Sequence, residues 1–192
     1  MAEEVVSGLM PPFAILGTPR SRTAWLSKFL TWGKWHCYHE PSATFRSQDD
    51  IRRFFNIPFV GASDSALTLR WREILACRPD CRLVVVRRDL EGVLRSLEAK
   101  GVAGSPVAVS IRLADRAISD LRAAHPVLFV PYEEIGRPEV AARIFETCLG
   151  EPMPIEHWRR WEGINVQIDI AKTVLAATAN LSGLHAVYPE IW

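Results

Sequence analysis

Two arginines, a serine and two threonines stand close together in Gly17-Thr-Pro-Arg-Ser-Arg-Thr-Ala-Trp25. The run lies between an apolar stretch, Phe13-Ala-Ile-Leu-Gly17, and a stretch with helical spacing. Amides at the start of a helix lack partners inside it and suit a phosphate or sulfate group. Ser21 and Thr23 add hydroxyl donors, and Arg20 and Arg22 add fixed positive charge. The plainer alternative is that Thr18 or Ser21 caps the helix and the arginines are solvated. The segment is not a GxxxxGK[ST] loop, because it has no Gly-Lys pair. One register puts Ala24 where an ATPase carries its magnesium-binding hydroxyl. A second register puts Thr23 there, with Arg22 in place of lysine.

Other residues able to do chemistry follow. Trp35-His-Cys-Tyr-His-Glu-Pro41 offers His36, His39 and Glu40 as proton acceptors. Arg88 follows the β-branched run Arg82–Arg87, and Ser96 stands eight positions after Arg88. A guanidinium at a strand's carboxyl end and a hydroxyl from the next helix can converge on one phosphate. A surface arginine and an ordinary helix serine are the alternative, and Arg87 replaces Arg88 if the register slips by one. Asp64-Ser65 orients a ligand or caps the next helix. Asp64 and Asp89 are the acids a magnesium-dependent enzyme would use.

The elements that must hold these residues alternate short β-rich runs with longer amphipathic ones. That is the pattern of a parallel sheet covered by helices. Strands are predicted over Phe13–Gly17, Phe59–Gly61, Arg82–Arg87 and Val127–Tyr132. Helices are predicted over Ser21–Trp32, Asp49–Phe55, Ser65–Cys77, Asp89–Lys100, Val107–His125, Pro138–Leu149 and Gln167–Leu181, with a break at Gly101–Pro106. In the first helix Trp25, Leu26, Phe29 and Leu30 share one side. The expected fold is a three-layer αβα sandwich on a mainly parallel sheet, of P-loop type, formed by one domain over residues 1–192.

Composition agrees. Hydrophobic residues are 48% and charged residues 23% of 192, ordinary for a globular chain. A formal charge of +1 argues against a broad polyanion-binding surface, so no nucleic acid is expected and any anion site is local. Lysine occurs only at positions 28, 34, 100 and 172, and the other basic residues are arginines. Planar recognition of phosphate and coding bias both account for that choice. No apolar run reaches the ~18–20 residues of a membrane span. Met1-Ala-Glu-Glu4 lacks the basic start of a secretory signal. Cys37, Cys77, Cys81 and Cys148 form no CxxC pair. A reduced, cytoplasmic protein is the expectation.

Pro19-Arg20-Ser21-Arg22-Thr23-Ala24-Trp25 resembles the first-strand loop, PxSGTxW or PRSGT, of sulfotransferases that use 3′-phosphoadenosine 5′-phosphosulfate (PAPS). The resemblance implies that Arg20 grips the bridging or leaving oxygen. It implies that Ser21, Thr23 and the Ala24 backbone hold the 5′-phosphate, and that Trp25 lies against the adenine. Arg88 and Ser96 match the family's 3′-phosphate pair. Val130-Pro-Tyr-Glu-Glu-Ile135, Pro138 and Leu149-Gly150 are similar to its "YEDL … P … FLG" stretch, which brings Tyr132 near the nucleotide.

Residues 13–150 carry the likeness, and 151–192 are expected to be a helical extension. The family's glycine-rich segment near the C-terminus is not recognisable; Arg159, Arg160 and Gly163 are its candidate replacements. Arg22 stands where the family has glycine. It either adds a phosphate contact or distorts the loop.

By this resemblance the protein moves a sulfuryl group from PAPS to a hydroxyl or amine of a small molecule or glycan. Glu40 is the first candidate base and His39 the second, with no metal required. A magnesium-dependent P-loop kinase or NTPase, and a catalytically degenerate nucleotide-binding module, are the competing readings.

Overall fold

The computed structural model describes residues 10–99, 105–164 and 166. The side chains of Phe13 and Ile15 join one core while those of Ala14 and Leu16 join another. Leu83 to Val86 divide in the same alternating way. A strand turns successive side chains to opposite faces, so both faces of this sheet are buried. That is the physical origin of the three layers.

The strands are β1 (Phe13–Gly17), β2 (His36–His39), β3 (Val60–Ser63), β4 (Arg82–Arg87) and β5 (Leu128–Pro131), in the order β2-β3-β1-β4-β5. Every neighbouring pair is parallel. β1 is central, with Phe13 opposite Gly61 on one side and Arg82 on the other.

The helices are α1 (Thr23–Phe29), α2 (Gln48–Phe55), α3 (Trp71–Cys77), α4 (Leu90–Glu98), α5 (Ser105–Ala124), α6 (Pro138–Leu149) and α7 (Ile155–Trp161). One core holds Leu26 and Phe29 of α1, Ile144 and Phe145 of α6, and Trp158 of α7. The other holds Phe55 of α2, Ile74 of α3 and Ile118 of α5. Phe13, Phe29, Phe55 and Phe145 are fully buried, each stabilising the fold by on the order of 1.5–3 kcal/mol. Among the described residues no helix is long and apolar enough to cross a membrane.

Several expected boundaries move. β2 was not anticipated: His36–His39 is a short edge strand whose His36 and Tyr38 are exposed. The predicted helix over Ser65–Cys77 starts as a 3₁₀ turn, Ala66–Arg70, and becomes α-helical only at Trp71. α1 is shorter than expected and ends at Phe29, where Leu30 takes the C-cap. The predicted helix over Gln167–Leu181 lies outside the described residues. Cys37, Cys81 and Cys148 are buried free thiols, and Cys77 is half-buried.

After β1 the chain enters α1 on one face, and after β4 it enters α4 and α5, of which α5 packs on the other face. Adjacent strands whose connections part in this way leave a crevice beyond their carboxyl ends, where open α/β sheets take ligands. Residues 18–22 and Arg88 border that crevice.

Candidate functional site

The turn after β1 is pinned from below. Gly17 N donates to Thr68 Oγ1 at 2.8 Å, and the same hydroxyl donates back to Gly17 O at 2.9 Å. A Cβ on Gly17 would run into the Val86 carbonyl oxygen, so only glycine lets β1 end against β4 here. Arg20 and Arg22 then adopt left-handed backbone, at φ 67° and 60°.

Thr18 and Ser21 are fully buried, and their hydroxyls bond each other at 3.0 Å. Neither caps α1: the N-cap is Arg22, which makes no side-chain cap bond, and among the described residues no side chain accepts from the first-turn amides. Those amides therefore need water or a ligand. This removes the capping alternative at the loop. It also turns the Ser21 hydroxyl inward, away from the role of an open phosphate donor. Pro19 is half-buried on the turn, and Ala24 is buried within α1.

The other border comes from β4. Arg88 Nη1 donates to Arg20 O at 3.3 Å, and Arg20 Nε donates to Ser96 Oγ at 3.3 Å. Arg87 is committed elsewhere, to Asp115 at 2.7 Å, so Arg88 is the arginine that reaches the turn. Tyr132, just after β5, joins them: the Arg88 guanidinium lies 4.5 Å and that of Arg22 5.7 Å from its ring centroid. Such placement draws on the negative ring face. Among the described residues Arg20, Arg22 and Arg88 have no carboxylate within ion-pair distance. Three guanidiniums without a counter-charge in one crevice favour an anion between them.

Beside the start of α1, β2 delivers the candidate bases. His39 Nε2 lies 3.3 Å from Thr23 Oγ1 and 3.7 Å from Glu40 Oε1. Burial lowers the His39 pKa below its ordinary value; the Asp64 charge opposes this and Lys28 adds to it. Glu40 is in left-handed backbone at φ 50°, and its amide donates to Ser63 O at 3.1 Å. Ser63 Oγ donates to Thr23 O at 2.8 Å, tying the start of α1 to β3. His39, Glu40 and Thr23 thus share one corner, whereas His36 is exposed on the edge strand β2 and meets Tyr38 edge-on.

Other expectations are corrected. Trp25 is 4% exposed, stacked on Phe29 at 4.7 Å and met edge-on by Trp158. Its indole N–H donates to Trp161 O at 3.2 Å, so it is a core element and not an open face for adenine. Asp64 is fully buried and accepts from the amides of Ser42, Ala66 and Leu67. Asp89 caps α4 through Gly92 N at 2.7 Å. Both acids therefore organise backbone. Arg159 and Arg160 are exposed on α7, and Arg159 pairs with Glu156. Sequence reasoning missed Thr68 and Ser63, since a lone hydroxyl after an apolar run has no pattern of its own.

No protein-family model matches the sequence, and no curated protein does. Solved structures do match. The sulfotransferase domain from the curacin biosynthetic pathway superposes with a TM-score of 0.59 at 12% identity, covering 81% of this chain and 79% of that one. A sulfotransferase from Alicyclobacillus acidocaldarius gives a TM-score of 0.51 at 14% identity, over 92% of this chain and 95% of that one. The chain has the sulfotransferase fold. The likeness is one of shape at low identity. Among those described, no group of three His, Cys, Asp or Glu side chains is placed to hold a metal ion.

Proposed function

We propose that the protein is a PAPS-dependent sulfotransferase acting on a hydroxyl or amine of a small-molecule or glycan acceptor. The observation that carries this is the linked contact Arg88–Arg20–Ser96. It joins the turn after β1 to the strand end of β4, as a ligand with two separate phosphate groups requires.

In this reading the turn from Pro19 to Ala24 holds the 5′-phosphosulfate end through its uncapped amides, Thr23 Oγ1 and the guanidinium of Arg20. Arg88 and Ser96 take the 3′-phosphate, beside Tyr132. Trp25 supports the turn from below. The donor supplies an activated sulfuryl group whose bond to the 5′-phosphate breaks as the acceptor's oxygen or nitrogen bonds to sulfur. The His39–Glu40 pair accepts the acceptor's proton: a neutral imidazole kept below its usual pKa takes it, and the carboxylate beside it stabilises the resulting cation. Arg20 and the turn's amides counter the charge gathering on the leaving phosphate.

Calorimetric titration with adenosine 3′,5′-bisphosphate, ADP and magnesium-ATP tests the reading. Selective, magnesium-independent binding of the bisphosphate is expected. Preference for magnesium-ATP would instead indicate a kinase or NTPase, and no binding of any of the three would indicate a degenerate module.

A further inference from the structure

Arg22 is the residue at which this loop departs from the glycine of the pattern it resembles. A side chain in left-handed backbone is strained, and such strain persists where the surroundings or a function hold it. Arg22 adopts φ 60°, Thr18 bonds Ser21 beside it, and α1 begins at the next residue.

Its guanidinium extends away from the loop. It lies over the Tyr132 ring and borders Gly136, where an added Cβ would come within 3.8 Å of Arg22 Nη1. The same ring carries the Arg88 guanidinium. Arg22 has no carboxylate partner among the described residues and is exposed. The nearby acid Glu134 faces Arg137 instead, at 3.7 Å. Two cations gathered on one ring repel each other unless a multiply charged anion joins them.

We infer that Arg22 is a specificity-determining residue that grips the donor's 3′-phosphate together with Arg88, across the Tyr132 ring. This rests on the donor reading above. It makes one loop serve both phosphates, with its backbone toward the 5′ end and this side chain toward the 3′ end. It also supplies a second cation to that subsite from the loop itself, whereas Arg159 of α7 is spent on Glu156.

The test is Arg22→Gly, which suits φ 60° better than arginine and so retains the fold. Affinities for adenosine 3′,5′-bisphosphate and for adenosine 5′-monophosphate are measured by calorimetry in both proteins. The variant should bind the bisphosphate about 10-fold more weakly while its monophosphate affinity stays within about twofold. Arg22→Lys should fall between, because it keeps charge without the planar fork. Equal weakening of both ligands would place Arg22 on the 5′-phosphate and overturn the inference, as would no change in either. A wild-type protein that binds no bisphosphate would sink the donor reading itself, a result distinct from either of these.

Discussion

Strand β4 begins with one arginine and is followed by another, and the two lead opposite lives. Arg82, at the amino end, donates from Nη1 to Thr147 O at 3.1 Å and from Nη2 to Pro11 O at 2.8 Å, with Trp35 beside it. Burial lowers its pKa, and its Nε has no partner among the described residues. Arg88, past the carboxyl end, donates to the Arg20 carbonyl, its one bond among the described residues, and rests on Tyr132. A guanidinium has five N–H donors. Arg82 commits both terminal nitrogens to closing the bottom of the sheet, whereas Arg88 commits one among the described residues. Residue type is the same; which end of a parallel strand it occupies decides between mortar and binding site.

That contrast can be broken from either end. The largest effect is expected at the carboxyl end of a different strand, β2, in the His39–Glu40 pair. His39→Asn should lower bisphosphate release from PAPS, with water as acceptor, by about 100-fold or more, with the unfolding midpoint little changed. The wild-type rate should fall as pH drops through the His39 pKa, which lies below about 6.5. Stability follows the same direction. The folded protein binds the proton less readily than the unfolded chain, so stability declines as pH falls from about 6.5 toward the folded-state value and levels off beneath it. A rate that is flat across this window would remove His39 from the chemistry.

Next come the paired substitutions on β4. Arg88→Ala should cost about 10–100-fold in bisphosphate affinity and little stability. Arg82→Ala should leave affinity unchanged and lower the unfolding free energy by about 2 kcal/mol, since it strands two carbonyls. If both variants lose binding and stability together, the two ends are not functionally distinct. The smallest effect is expected at an arginine that already has its partner on the surface. Arg52 pairs with Asp49 on α2, and Arg52→Ala should change stability by less than about 1 kcal/mol, measured by chemical denaturation.

How much could be read before folding follows from the same distinction. β1, β4 and α6 were legible to the residue because β-branched or apolar runs and the Pro138–Gly150 punctuation mark their ends. That Arg20 follows β1 and Arg88 follows β4 was legible because apolar runs mark where those strands end. β2 was hidden, since an edge strand of four residues carrying two histidines lacks an apolar signature. Trp25 was misplaced by analogy although its own spacing pointed inward: with Phe29 at i+4 it lies on the buried stripe of α1. Ser21 was misread for a different reason, because no pattern tells which way a loop hydroxyl turns. Thr68, which locks Gly17 from both sides, is invisible until the chain is folded.

The distribution of thiols has a practical consequence. Cys37, Cys81 and Cys148 are sealed in the interior and their ionisation is pushed upward by burial, while Cys77 is partly accessible at the end of α3. Alkylating reagents attack the accessible thiolate, so a maleimide dye should attach at Cys77 in the native protein without any cysteine being engineered away. The α3 end then becomes a single-colour reporter whose unfolding signal is set by one known site.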